Sequence, residues 1–251
     1  MRVALVGLGA ALLLSLGANA WLAHRLVDQY LETQRVRLDP LGLRHHPEGL
    51  AGEPARELDR RRVVFFGDSR ALAWTPPEAL AGFEFVNRGI GRETSAQALQ
   101  RFERHVAPLH PDVVVIQIGV NDLRLVSLLR EERAEIVEGC AANIERMVDE
   151  ASRVGATVVL TTIFPLGEIP LTRRPFLSNV IGSAIGEVNQ RIRSLARPGV
   201  IVLDAAALLA DGRGRLSEPF AADWLHLAPA GYRVLNDELV RVLRAIDENS
   251  T

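Results

Sequence analysis

From Arg62 onward, short β-branched runs alternate with longer amphipathic stretches, and this alternation constrains the fold more than any other feature of the chain. Candidate strands are 63–66, 83–86, 113–118, 157–162 and 200–203. Helical patterns lie between and after them, at 94–107, 131–153, 177–195 and 229–246. The run Val113-Val114-Val115-Ile116 is apolar at every position, as a strand must be when both faces of a parallel sheet are covered. Repeated β-α alternation then predicts right-handed crossovers and a doubly wound, three-layer α/β/α sandwich.

Composition narrows the chemistry. The chain has 251 residues, 48% hydrophobic and 24% charged, enough for one sizeable domain plus an appendage. A formal net charge of -2 leaves no basic excess to neutralise phosphates, so no nucleic-acid partner is expected. The single cysteine, Cys140, excludes an intramolecular disulfide framework and a Cys-rich zinc site. All 29 basic residues are arginine, which excludes Schiff-base chemistry, a P-loop lysine and a lysine general base.

Ahead of the alternating region, residues 3–23 carry no formal charge, about the length a helix needs to cross a hydrocarbon core. One reading is a secretory signal with Arg2 as its positive end and Ala18-Asn19-Ala20 as a cleavage site. The other is a retained signal-anchor. It is preferred because the apolar run continues through Trp21, Leu22 and Ala23 and the helical pattern through Leu26, Val27, Tyr30 and Leu31. The expected division is therefore 1–24 as signal-anchor or signal peptide, 25–61 as membrane-proximal helix and linker, and 62–251 as the globular domain. That domain is expected outside the cytoplasm on a single-pass anchor at the cell membrane, or alternatively secreted or periplasmic. Residues 38–62 hold Pro40, Gly42, Pro47, Gly49, Gly52 and Pro54 among charges and read as a linker. His45 and His46 lie within it without further ligands nearby, and no metal site is expected.

In a doubly wound sheet, ligands bind beyond the carboxyl ends of the strands. Gly67-Asp68-Ser69-Arg70 follows the first strand. The second is followed by the segment from Asn87 to Thr94, which includes Gly89 and Gly91, and the third by Gly119-Val120-Asn121-Asp122. Asp223-Trp224-Leu225-His226 comes after the fifth, ahead of the Pro229-Ala230-Gly231 helix start. On a parallel sheet all four emerge at one edge. A serine hydroxyl is a poor nucleophile at neutral pH and needs a base within hydrogen-bond reach. His226 can supply that base, and Asp223, three residues earlier, can hold its other ring nitrogen and fix the tautomer. A tetrahedral oxyanion needs donors already aimed at it, each worth about 2.7–4 kcal/mol of barrier. The Asn121 amide and backbone N–H groups at Ser69 and in the 89–92 loop are available, while Gly67 and Gly119 permit tight turns at strand ends. No one of these short motifs is diagnostic. All four, in this order and each behind a strand, are the parts of an acyl-transfer site.

These four blocks resemble those of the SGNH (GDSL-like) hydrolases, over about Arg62 to Ile246. The resemblance implies a flavodoxin-like sandwich with strand order 2-1-3-4-5 and serine esterase or lipase-type activity without a metal or other cofactor. By the same resemblance Ser69 looks like the nucleophile, His226 the base and Asp223 its orienting acid. The Ser69 N–H, a second-block N–H and the Asn121 amide look like the oxyanion hole, with Gly67, Asp68, Gly89, Gly91 and Gly119 as supporting loop residues. One position departs: the second-block glycine of the family falls on Arg92, with Gly89 and Gly91 out of frame. Its backbone N–H survives the change. Its guanidinium is expected either to read an anionic substrate group or to turn away onto a carboxylate such as Glu93.

Asp204, at the end of the fifth strand, is an alternative orienting acid. Cys140 is expected in the core, His105 and His110 at the surface, and Trp74 over the pocket mouth. The expected activity is hydrolysis of a carboxylic ester through an acyl-enzyme, the ester carrying a small acyl group on a cell-envelope glycan or lipid, with the membrane contacted through the N-terminal helix. An O-acyltransferase with the same residues and a non-catalytic envelope scaffold are the alternatives.

Overall fold

The computed structural model describes residues 2–44, 59–77, 80–174 and 176–248; much of the expected linker, with His45 and His46, lies outside the described residues. The chain divides into two units, Met1–Arg44 and His45–Thr251. The first contains one helix, α1 (Arg2–Leu38), of 37 residues. Its large apolar side chains from Leu8 to Leu22 are exposed, Leu12, Leu14 and Trp21 among them. By length and composition it is apolar enough to cross a membrane, which is compatible with a signal anchor or a signal sequence.

The second unit is built on five parallel strands: β1 (Arg61–Gly67), β2 (Phe83–Gly89), β3 (Val113–Gln117), β4 (Thr157–Thr161) and β5 (Val200–Leu203). Their order is β2-β1-β3-β4-β5, and every neighbouring pair is parallel. Strand order reverses beside β1, which pairs with β2 on one side and β3 on the other. Alternate strand residues serve two cores. Val64, Phe66, Val114, Ile116, Val158 and Leu160 point to the face covered by α3 (Ser95–His105), α5 (Arg133–Arg153) and α6 (Val180–Ser194). Val63, Phe65, Val113, Val115, Val159 and Leu203 point to the opposite face, covered by α7 (Ala205–Leu209) and α8 (Pro229–Glu248). Two single-turn helices open directly from strand ends: α2 (Ser69–Leu72) after β1 and α4 (Val120–Leu123) after β3. The fold is thus the three-layer sandwich that the β-α alternation predicts, with the strand order 2-1-3-4-5 that the resemblance implies.

Three local expectations need correction. Strand β2 runs through Asn87, Arg88 and Gly89, which the sequence assigns to a loop; the Asn87 side chain turns back to accept from Gly89 N at 2.8 Å and to donate to Ala71 O at 2.9 Å. His105 is fully buried rather than at the surface, four residues along α3 from Arg101, whose Nη1 lies 3.3 Å from His105 Nδ1. Trp74 is not at a pocket mouth. It lies in the core with its ring packed on Phe65, Phe164 and Tyr232 and donates to Asn236 Oδ1 at 2.7 Å. His110 is exposed and Cys140 buried, as expected.

Candidate active site

Ser69 is the first residue of α2, a helix set by the turn at the end of β1. Gly67 makes that turn with φ +147, and a Cβ there would fall 1.7 Å from Gln117 O of the adjoining strand, so only glycine fits. Asp68 caps the turn, its Oδ1 accepting from Arg70 N at 2.9 Å. On the far side Gly89 presses bare backbone against α2; a Cβ there would lie 2.2 Å from Leu72 N. The Ser69 backbone N–H, at the open start of the helix, finds no acceptor among the described residues.

Ser69 Oγ lies 3.3 Å from His226 Nε2, and His226 Nδ1 lies 2.9 Å from Asp223 Oδ2. The other Asp223 oxygen accepts from Leu225 N at 2.6 Å and His226 N at 2.7 Å. Partial burial alone would raise the Asp223 pKa, but these bonds together with that from the His226 ring outweigh it and hold the carboxylate below its ordinary range. The histidine and aspartate side chains are 41% and 50% exposed, so the pair stands on an open rim that water can reach. Asp204 takes no part. It caps α7 and is bound by Arg193 Nε at 2.8 Å and Thr162 Oγ1 at 3.0 Å.

The loops after β2 and β3 are tied to each other beside Ser69. Asn121 Nδ2 donates to Glu93 O at 2.9 Å, which leaves its second N–H for another acceptor. Asp122 accepts from Ser95 N at 2.9 Å and from Ser95 Oγ at 2.6 Å. Gly91 stands with its Cβ position 3.9 Å from Ser69 Cβ. Arg92 holds φ 69, a left-handed conformation that a side chain adopts at a cost, at the position where the family has glycine. Glu93 does not pair with Arg92 as one expectation has it. Its carboxylate is buried and takes both Arg101 Nε and Arg101 Nη2 at 2.6 Å. Burial still pushes the Glu93 pKa up to about 7 against the pull of Arg101.

A residue that sequence reasoning passes over is Arg70. Its fully buried guanidinium donates to Leu225 O from Nε at 2.9 Å and Nη2 at 2.7 Å, and to Phe164 O from Nη1 at 3.0 Å. Leu225 lies between Asp223 and His226, so the residue after Ser69 grips the very loop that carries the base. Tyr232 of α8 completes the tie, donating to Arg70 O at 2.9 Å. Burial lowers the Arg70 pKa to about 10 despite nearby Asp68, and the guanidinium stays charged at neutral pH. A separate cavity of about 990 Å³, lined by residues such as Pro165, Asn179, Arg193 and Arg215, includes none of Ser69, Asn121, Asp223 or His226. Hydrogen-bond geometry rather than cavity size therefore marks the candidate site.

Comparison with known proteins agrees with this architecture. No curated protein matches the chain. Among solved structures, a GDSL-like lipase from Bacteroides thetaiotaomicron is 24% identical with a TM-score of 0.69, over 82% of this chain and 98% of that one. The lipase/acylhydrolase from Enterococcus faecalis is 25% identical with a TM-score of 0.53, over 74% and 96%. Axe2, an acetylxylan esterase from Geobacillus stearothermophilus, is 19% identical with a TM-score of 0.58, over 72% and 93%. The model of the GDSL-like Lipase/Acylhydrolase family matches residues 65–234, which takes in the end of β1, the Ser69 turn, the Asn121 loop and the Asp223–His226 pair, and the chain belongs to that family.

Proposed function

We propose that the chain is a serine esterase that cleaves a carboxylic ester through an acyl-enzyme. The observation that carries this reading is the relay from Ser69 Oγ to His226 Nε2 at 3.3 Å and from His226 Nδ1 to Asp223 at 2.9 Å. Ser69 Oγ attacks the ester carbonyl as its proton passes to His226 Nε2, and Asp223 steadies the imidazolium that forms. The oxyanion is held by the Ser69 N–H, by a donor of the 91–92 loop and by the second N–H of Asn121. Collapse breaks the ester bond, and the proton on His226 goes to the leaving alcohol. Water then attacks the acyl-serine while His226 takes its proton. The acid departs and Ser69 is restored.

Water is favoured as the acyl acceptor because the His226 and Asp223 side chains stand on an exposed rim, which argues for hydrolysis over transfer to a sugar hydroxyl. The same openness suits a small acyl group on a bulky glycan or lipid. The apolar helix α1 supports a membrane-tethered enzyme whose domain faces the cell envelope. The test is fluorophosphonate labelling of the full-length chain in a non-ionic detergent. Wild type should be modified covalently and Ser69→Ala should not, with esterase turnover lower by at least about 10⁴-fold in that variant. Equal labelling of both would overturn the nucleophile assignment.

A further inference from the structure

Beside the rim, the indole of Trp224 carries two guanidinium groups from different parts of the chain. Arg124 Cζ lies 5.2 Å from the ring centroid and Arg173 Cζ 5.6 Å. Trp224 is buried and belongs to the loop that bears Asp223 and His226, so the cations are fixed relative to the base. Arg124 also donates from Nη1 to Asn121 Oδ1 at 3.3 Å, the carbonyl end of the same amide whose N–H groups face the opposite way. No carboxylate among the described residues forms an ion pair with Arg124 or Arg173, although Glu168 takes the neighbouring Arg174 and Glu187 takes Arg133. The Arg124 Nε is buried without a partner. Burial, and then the like charges of Arg173 and Arg92, push the Arg124 pKa down against the charge of Asp68. Arg124 and Arg173 thus meet on one ring from two separate connections, and among the described residues neither forms an ion pair with a carboxylate. Stacking on an indole leaves the edge N–H groups of a guanidinium free to form two parallel bonds to a planar or tetrahedral oxyanion.

We infer that Arg124 and Arg173 form an anion subsite, and that the ester this enzyme takes carries a phosphate or carboxylate group next to the bond it cleaves. The inference rests on the esterase reading and names its substrate class. A lone surface arginine would do little against salt, but two converging cations on a low-dielectric aromatic wall concentrate an anionic substrate at the rim. The bond to Asn121 adds a specific consequence: an anion seated on Arg124 bears directly on the amide that faces the oxyanion.

The test separates binding from turnover. The full-length Ser69→Ala chain in non-ionic detergent is titrated calorimetrically with 1-acetylglycerol 3-phosphate and with uncharged 1-acetylglycerol, and with mono-p-nitrophenyl succinate against p-nitrophenyl acetate. The first pair places the anion on the alcohol side, the second on the acyl side. An anionic member should bind at least about tenfold tighter than its neutral twin in one pair, and Arg173→Gln or Arg124→Gln should erase about tenfold of that preference. Arg153→Gln, an exposed arginine on α5, should leave it intact. Equal binding of charged and uncharged members in both pairs, or a preference untouched by either glutamine variant, overturns the subsite whatever the turnover. Arg173-dependent binding by a chain whose wild type hydrolyses none of these esters would instead leave the subsite standing and bring down the esterase reading.

Discussion

Asp68 stands directly before the candidate nucleophile with its carboxyl out of water and one oxygen without a partner. Burial pushes its pKa up to about 6, against the charge and backbone N–H of Arg70. A carboxyl raised in this way contributes stability that is complete below its unfolded value and is lost as pH rises through the folded one. For Asp68 that window runs from about 4 to about 6, and its full titration amounts to on the order of 3 kcal/mol. Asp68→Asn should therefore flatten the fall of Tm with rising pH across this window, measured by thermal melts at half-unit steps; an unchanged slope would remove Asp68 from the titration. Asn121 poses a kinetic question. With one N–H spent on Glu93 O, only the other is left for the reaction. Asn121→Ala should lower kcat by about 10²–10³-fold with little effect on KM, as loss of one oxyanion donor does. Steady-state kinetics on a short p-nitrophenyl ester decides it, and a change confined to KM would assign the amide to ground-state binding.

At the scale of elements, α2 is too short to hold itself and depends on what grips it: the Asp68 cap, the bare backbone of Gly89 and the Arg70 clamp on Leu225. Arg70→Lys keeps the charge but loses the fork that reaches several carbonyls at once. It should destabilise the fold by about 3 kcal/mol, and kcat should stay depressed well below the new Tm, because the base loop is no longer held against Ser69. A variant with wild-type kcat at low temperature would make Arg70 a purely structural residue. The dependence of α2 on distant partners also marks where sequence reading succeeds and fails. Strands β1 and β3 were legible because burial on both faces makes their centres, Val63–Phe66 and Val113–Ile116, apolar at every position. The end of β2 was not, since an edge strand tolerates Asn87 and Arg88 and its last pairings look like a loop. The Asp223–His226 contact could be read from spacing, being local. The burial of Arg70, Arg101 and His105 could not, because arginine and histidine normally mark surface; Leu225, which Arg70 holds, is 155 residues away, and Glu93, which takes Arg101, precedes α3.

For the whole molecule, α1 at 37 residues is about 56 Å long, well beyond a hydrocarbon core of about 30 Å. Its charge-free part fits that thickness, and the charged turns from Arg25 onward belong outside it. Full-length protein should accordingly stay in the membrane pellet through an alkaline carbonate wash, whereas a chain starting at residue 39 should be recovered in the supernatant; release of both would make α1 peripheral. The order of the parts along the chain has another bearing. Ser69 follows the first strand of the sheet, and the imidazole proposed to activate it lies 157 residues later, just ahead of α8. A nascent polypeptide emerging N-terminus first displays its hydroxyl for most of synthesis with nothing to deprotonate it. The proposed esterolysis would thus switch on only when the last segments have been delivered and folded back, leaving a partly made copy without it.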